Sequence, residues 1–560
     1  MKSTRYSFVL FLLLAFSIIN LYGQESNNFN ISKSFEIYSD VLKELDKNYT
    51  EEINPADLNE VAIEAMLETL DPYTVFIPES KTEDYKMMTT GQYGGIGSLI
   101  QKIDDFVVIS EPYKGFPAHQ AGLKAGDRIL EINGESAEGK SSSEVSDILK
   151  GQPGVEIEML IGRDGVEKPL KMTVVRKNIK IPSVPYYGMI GPDIGYIRLT
   201  NFTKNAGNEV KKAFTDLKSS NELGGIIIDL RGNGGGLLQE AVNLVNIFVG
   251  KGELIVSTKG KLASKNHDHR TRMNPVDTEI PLAILVDRSS ASASEIVAGA
   301  IQDLDRGVVI GQKTFGKGLV QNVIPLSYNS QIKITVAKYY IPSGRCIQAI
   351  DYFNKDENGD SKKVPDSLVR EFKTLNGRPV YDGGGVKPDI TAKREELSNI
   401  TSSLIRKHHI FHYATKFTAE HESIPAPAEF EIGDEIFNDF VIFLQGKDYD
   451  YKTESEKALE RLRKKSKEEN YYEAIMEDFE TLKTKLMHDK DEDLIKHKKE
   501  ISRILEEEIV SRYYFQEGRL VNSLKDDVVV DKAAEILEGQ NFYLTILDGS
   551  QKEEETQEED

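Results

Sequence analysis

Residues 281–325 constrain this chain more than any other stretch. Leu282-Ala-Ile-Leu-Val286, bounded by Pro281 and Asp287, is a short apolar run with the length of a buried strand. Arg288 to Ser294 are mostly small residues that suit a tight turn, and Glu295 to Leu304 carry an apolar stripe at helical spacing. A second short strand, Val308-Val-Ile310, leads into Gly311 to Gln321, where Lys317 stands between two glycines. This order places serines at the mouth of a helix. Serine there is commonly an N-cap. It is equally suited to be a nucleophile: it is exposed, it lies at the positive end of the helix dipole, and unpaired backbone N–H groups stand beside it. Such groups hold a developing oxyanion. A serine nucleophile needs a base, and Lys317 offers one where its glycine neighbours allow close backbone approach.

Ser290-Ala-Ser-Ala-Ser-Glu295, with Gly316-Lys-Gly-Leu-Val-Gln321 downstream, resembles the C-terminal processing (tail-specific) serine peptidases. The resemblance implies a nucleophile at Ser292, a general base at Lys317, 25 residues later, and an orienting group at Gln321, four further on. It implies an α+β multidomain protein with a ClpP/crotonase-like αβ catalytic core. It implies no cofactor and no metal.

At 560 residues the chain is long enough for three or four domains. Its net charge of −21 argues against nucleic acid as a partner. The single cysteine, Cys346, excludes an internal disulfide and a cysteine-rich zinc site, and is expected to be a small buried residue. At the N-terminus, Lys2 and Arg5 precede the apolar run Phe8 to Ile19, which reads as a secretory signal with cleavage before Gln24. Residues 1–23 are thus expected to direct export to the periplasm or cell envelope.

Residues 24–90 carry helical periodicity, in Phe35, Tyr38, Val41, Leu42 and Leu45 and again in Val61, Ala65, Met66 and Leu70, before a loop at Leu70 to Pro78. Residues 91–178 resemble a PDZ domain, on the run Ala121-Gly-Leu-Lys-Ala-Gly-Asp-Arg-Ile-Leu-Glu-Ile-Asn-Gly134. A PDZ domain adds an extended peptide to its sheet and captures the terminal carboxylate on backbone N–H groups. By resemblance that loop is Gly94, Gly95, Ile96 and Gly97, with Ile96 helping to form the apolar pocket.

Residues 179–392 are the expected peptidase core. Ile194 to Leu199 and Gly225 to Leu230 are strand-like, and Arg231-Gly-Asn-Gly-Gly-Gly-Leu-Leu238 turns into a helix over Gln239 to Val249. Leu237 stands where a dinucleotide-binding fingerprint needs its third glycine. The resemblance gives this loop a different role, in which an N–H of Gly235, with Gly234 and Gly236 as close alternatives, joins that of Ala293 in an oxyanion hole. Gly311-Gln-Lys-Thr-Phe-Gly-Lys-Gly318 falls one residue short of a P-loop, and Leu319 to Ile324 continues as strand, not helix. Residues 393–548 form a charged, mostly helical extension that includes a long polar helix over Glu454 to Leu486, and residues 549–560 an acidic tail. His408, His409 and His412 include an i,i+4 pair, but no carboxylate stands in register for a metal site. The resemblance spans roughly residues 30–392.

The expected function is peptide-bond hydrolysis through an acyl-enzyme. A lysine ordinarily titrates near ~10.4, so a lysine base near neutral pH requires its neutral amine to be favoured by about 4 kcal/mol, which burial supplies. Two rivals remain: a Ser-His-Asp triad using His267 or His269, which sit in a polar stretch that reads as a loop, and a secreted PDZ scaffold with a dead hydrolase domain. The expected partners are polypeptides with free, flexible C-termini. An adaptor protein, a second copy of the chain and peripheral membrane association stay open.

Overall fold

The computed structural model describes residues 27–355, 361–394, 396–486 and 490–550. The expected signal segment, 1–23, and nearly all of the acidic tail lie outside these residues.

The chain divides into two compact units. The smaller is Met1–Phe76 with Val323–Ile334. Its described part holds a helix over 27–48 and a second, Pro55–Glu68, which starts where Asn54 accepts from the N–H of Ala56 and Pro55 takes the first helical position. The following turn is built on buried Asp71, which accepts from the N–H groups of Tyr73 and Thr74 and from the Thr74 hydroxyl.

The larger unit is Ile77–Asn322 with Thr335–Asp560. Its centre is a six-stranded sheet in the order Tyr186–Ile190, Ile194–Arg198, Gly225–Asp229, Leu282–Val286, Val308–Gly311, Ile390–Thr391. The first pair is antiparallel and the others parallel. Successive side chains leave a strand on opposite faces. Ile226, Ile228, Leu282 and Ile284 therefore meet helices Ala206–Ser220, Leu238–Phe248 and Ala293–Asp303 on one side. Ile227, Ala283, Leu285 and Ile310 face the other way, against Val529, Val530, Ala533 and Ile536 of the helix Val528–Glu538 and Tyr543 and Ile546 of Gln540–Asp548. Both faces are covered, which is why these strands read as unbroken apolar runs. One of the two covers comes from the far C-terminus. Gly311 leads through an irregular segment to the strand Leu319–Pro325, so the near-P-loop is followed by no helix.

Two further bodies belong to this unit. A β-domain pairs Ser98–Ile103, Phe106–Pro112, Arg128–Ile132, Glu156–Gly162 and Leu170–Val175 around a core that includes Ile96, Val107, Ile129 and Ile157. Its helix Ser142–Leu149 begins with a reciprocal cap between Ser141 and Glu144. A helical domain gathers Asn399–Arg406, His409–Glu420, Asp434–Leu444 and the helical stretch Lys498–Ser523, kinked at Phe515 (φ +59°, ψ −161°), around Leu404, Tyr413, Phe440 and Leu505. The long polar helix expected over Glu454 to Leu486 is instead two helices, Glu454–Glu468 and Tyr472–Leu486. Asn470 breaks it at φ +61°. The break lets Phe479 and Tyr472 of the second helix come under Arg463 of the first. His408 precedes its helix in a left-handed conformation, so the His408/His412 pair does not share a helix face.

Candidate active site

The turn after Leu282–Val286 sorts the serines of Ser290-Ala-Ser-Ala-Ser294 by burial. Ser290 and Ser294 are fully buried, and their hydroxyls donate to Leu230 O at 2.9 Å and Asn233 O at 2.8 Å. Of the three, Ser292 alone is partly open to solvent. Its backbone sits at φ +55°, ψ −110°, a conformation that costs a non-glycine residue about 1–3 kcal/mol and persists only where surroundings impose it.

Glu295, one helical turn on and wholly buried, imposes it. One carboxylate oxygen accepts from Ser292 N at 2.8 Å and Lys317 N at 2.9 Å; the other accepts from Gly316 N at 2.7 Å and the Thr314 hydroxyl at 2.6 Å. A single carboxylate thus fastens the Ser292 turn to the backbone of Lys317. Burial pushes this carboxyl up to about 7, against the four donors that favour its charged form. A second tie is Tyr339, buried on the strand Gln331–Tyr340, whose hydroxyl donates to Ser292 O at 3.1 Å and also meets Lys317 O.

The glycines flanking Lys317 are required by space. A Cβ on Gly316 (φ +89°) would lie 2.4 Å from the Ala349 Cβ, and one on Gly318 would lie 2.9 Å from Gln348 N. Lys317 itself is half-buried. Gln321 lies on the next strand and donates through Nε2 to the Thr335 hydroxyl at 3.2 Å.

The glycine loop meets the serine turn at Gly235. At φ +100°, a Cβ there would stand 2.7 Å from Ala291 O, 2.8 Å from the Ser292 Cβ and 2.9 Å from Ala293 N. Gly234 has nothing within 4 Å of such a Cβ. The Gly235 N–H donates to Asn233 Oδ1 at 2.9 Å, whereas those of Ala293 and Gly236 have no acceptor among the described residues. Asn233 is fully buried and holds both loops: its Nδ2 donates to Leu199 O, and its carbonyl accepts from Ala291 N and the Ser294 hydroxyl.

Below the loop, buried Asp229 accepts from Arg231, Arg198 and the Tyr196 hydroxyl at 2.6–2.7 Å. Arg231 also reaches Asp527 at 2.9 Å, the residue that caps helix Val528–Glu538. Burial alone would raise the Asp229 carboxyl; the two guanidiniums hold it well below the usual range. Asp229→Asn is therefore expected to remove about 3 kcal/mol of stability at neutral pH, by leaving buried guanidiniums uncompensated. A depressed carboxyl stabilises above the unfolded value near ~4 and loses that contribution as pH falls. Denaturant melts should show the wild-type advantage shrinking below pH ~4; a pH-independent difference would contradict this role.

His267 and His269 lie on a strand, His267–Arg270, not in a loop. That strand pairs with Leu254–Gly260, outside the central sheet, and the two rings contact each other at 6.4 Å. Cys346 is half-buried, and burial raises its thiol.

In the β-domain, Gly94 and Gly95 belong to a strand, Gln92–Gly95, paired with Lys177–Lys180, while Ile96 and Gly97 form the loop proper. Beside them is a groove of about 220 Å³ lined by Ile96, Ile100, Leu149, Met87, Tyr93 and Lys150. The Tyr93 ring lies over Gly95, 2.6 Å from where a Cβ would be.

Glu295, Asn233 and Tyr339 are absent from the sequence-derived site. Ser292-x-x-Glu295 at a helix start is a capping-box pattern and would have flagged Glu295 as a cap. Nothing local marks Asn233 or Tyr339 as partners of the serine turn.

Comparison with known proteins adds three matches to family descriptions: peptidase family S41 over residues 193–356, PDZ domain over 108–163, and "Probable PDZ-protease, C-terminal helical domain" over 400–537. The carboxy-terminal-processing protease of Bartonella bacilliformis is 37% identical over 328 residues, 58% of this chain and 75% of that protein. The carboxy-terminal processing protease CtpB of Bacillus subtilis is 33% identical over 322 residues, 57% of this chain and 65% of that protein. Among solved structures, the photosystem II D1 C-terminal processing protease aligns at 28% identity with a TM-score of 0.36, covering 64% of this chain and 93% of that one.

Proposed function

The chain belongs to peptidase family S41, the carboxy-terminal processing serine proteases, and carries their PDZ domain; given that membership, we propose that it is an exported endopeptidase that captures protein C-terminal tails on the PDZ domain and cleaves them with a Ser292/Lys317 dyad. The observation that carries the reading is the strained, partly exposed Ser292, tied through Glu295 to the backbone of Lys317 and set against the Gly235 loop.

Lys317 removes the proton from Ser292 as Oγ attacks the substrate carbonyl. The Ala293 N–H and an N–H of the glycine loop receive the oxyanion. Gly235 lies nearest but shares its N–H with Asn233, and the unengaged N–H of Gly236 is its neighbour. Lys317, now protonated, donates to the leaving amine; water then enters, gives a proton to Lys317 and bonds through its oxygen to the acyl carbon, and Lys317 returns that proton to Oγ as the Ser292 ester bond breaks and the acyl group leaves as a carboxylic acid. Gln321 orients the lysine amine without a charge that would favour the ammonium. The reaction needs no cofactor. The basic, apolar N-terminal segment supports export to the periplasm or cell envelope.

The PDZ groove offers apolar walls at Ile96, Ile100 and Leu149 beside the glycine-rich loop, which supports a preference for flexible tails with apolar C-terminal residues. Amidating such a substrate removes the charge that the N–H cluster captures. Cleavage is expected to slow by about tenfold, chiefly through KM, the loss of roughly one charge-assisted contact. Deleting residues 91–178 should remove that sensitivity. Equal cleavage of free-acid and amidated peptides by the intact enzyme would assign the PDZ domain to another partner.

A further inference from the structure

One wall of the PDZ groove comes from an element that precedes the β-domain. Helix Thr82–Thr90, which ends at Gly91 (φ +69°), carries Asp84 and Met87 three residues apart and so on one face. Met87 lines the groove together with Ile96 and Leu149. Asp84 accepts from Lys150 Nζ at 2.6 Å through one carboxylate oxygen. Lys150 is the C-cap of the helix Ser142–Leu149 and, among the described residues, the one charged side chain lining the groove. The next residue, Gly151, donates its N–H to Gly94 O at 3.0 Å, which sets this end of the helix against the glycine-rich run.

Other cations in these elements are engaged elsewhere. Arg176 donates to the carbonyls of Ile148 and Leu149 and so closes the helix. Lys177 donates to Gln120, and Lys86 pairs with Glu83 at 3.5 Å. Lys150 is open to a ligand. Its side chain is 28% exposed and that of Asp84 47%, so a solute reaches both groups. An ammonium has three donors, and Asp84 takes one of them. An ion pair this open contributes little to stability, so replacing its carboxylate by another costs little. The terminal carboxylate of a tail seated at Ile96 and Gly97 is such a replacement. It brings the charge that Asp84 brings, and it also gains the loop N–H bonds that Asp84 does not make. An amidated or internal peptide has no charge to exchange.

We propose that Lys150 is a specificity-determining residue that recognises the terminal carboxylate of a tail, and that Asp84 is its internal competitor, holding the ammonium until a tail arrives. The proposal rests on the tail-capture reading above and adds to it two residues outside the glycine-rich loop. Selection for free C-termini then includes an exchange of one carboxylate for another at Lys150, and the helix Thr82–Thr90 sets the affinity that a tail must exceed.

The test uses the full chain with Ser292→Ala, so that no peptide is cleaved, and the peptide Gly-Ser-Gly-Ser-Ala-Val-Ala-Leu, labelled with fluorescein at its N-terminus, as free acid and as amide. By fluorescence anisotropy this parent protein should bind the acid about tenfold more tightly than the amide. Lys150→Gln should cut that preference to about twofold by weakening the acid alone, the remainder coming from the loop N–H groups, and Lys150→Arg should keep most of it. Asp84→Asn should tighten the acid about threefold and leave the amide unchanged. That gain should vanish when Lys150→Gln is also present. A preference left intact by Lys150→Gln, an equal loss for acid and amide, or an Asp84→Asn variant that does not tighten the acid would overturn the proposal and leave the pair a strap for its helix. Asp84 is the more exposed partner, so its variant decides the matter if Lys150→Gln fails to fold. Equal binding of acid and amide by the parent protein would overturn the tail-capture reading itself, and the proposal with it.

Discussion

Lys317→Ala is expected to lower kcat by ~10³-fold or more, with the fold intact and KM little changed, because general-base assistance to a serine nucleophile acts only in the chemical steps. The physical ground is that a serine hydroxyl is a weak nucleophile until a neighbouring base takes its proton. The lysine can serve in that role because its segment is held close: the N–H of Lys317 is bonded to the same Glu295 oxygen as the N–H of Ser292. Removing the side chain leaves this backbone clamp in place, so thermal melting should be nearly unchanged. His267→Ala and His269→Ala, on a strand of another sheet, should each change turnover by less than about twofold, within the range of ordinary surface substitutions. Full activity in Lys317→Ala, or its loss in either histidine variant, would reassign the base.

Glu295→Gln is the second large effect. The carboxylate receives four donors on two oxygens. Glutamine keeps one acceptor oxygen and turns an NH₂ toward two of those donors; the Thr314 hydroxyl can accept from it but a backbone N–H cannot, so at least one bond is replaced by a donor-to-donor contact. Ser292 then loses what holds it at φ +55°, or Lys317 loses its register with Ser292. Either shift misplaces reacting groups, and misplacement of about 1 Å costs ~10²-fold in rate. The expected outcome is a hundredfold fall in kcat, slower labelling of Ser292 by a fluorophosphonate, and little change in peptide binding measured at the PDZ domain. Glu295→Asp, which keeps the charge on a shorter arm, should recover part of the rate. Equal rates for wild type and Glu295→Gln would mean that Tyr339 alone positions the turn.

Much of this arrangement is legible in the sequence because its signals are local. The strand at Leu282–Val286, the serine turn, the helix after it and the glycines around Lys317 all declare themselves within 40 residues. Gly225–Asp229 reads as a buried strand because helices cover both of its faces. The identity of the second cover is not legible. Val529 and Ile536 carry an ordinary helical stripe, and nothing in that stripe says that its partner is a sheet more than two hundred residues away. The same separation hides the Arg231–Asp527 bridge, which joins the glycine loop to that C-terminal helix. The break at Asn470 escapes a reading by periodicity, since Glu454–Glu468 and Tyr472–Leu486 share helical character and only a left-handed asparagine divides them. Glycine content groups Gly94 to Gly97 as one expected loop, and does not show that Gly94 and Gly95 pair with residues 177–178 as strand. Glu295 is visible as a helix cap but not as a clamp, since its other partners, Thr314, Gly316 and Lys317, lie about 20 residues downstream.

The most direct test of the central claim is hydrolysis of an unstructured protein with a free, apolar C-terminal tail by wild-type enzyme and by Ser292→Ala, followed by mass spectrometry of both substrate and enzyme. The account predicts proteolytic fragments and a transient acyl adduct on the Ser292 peptide with wild type, and neither with the variant. Fragments produced at the wild-type rate by Ser292→Ala, or an adduct on any other residue, would contradict it.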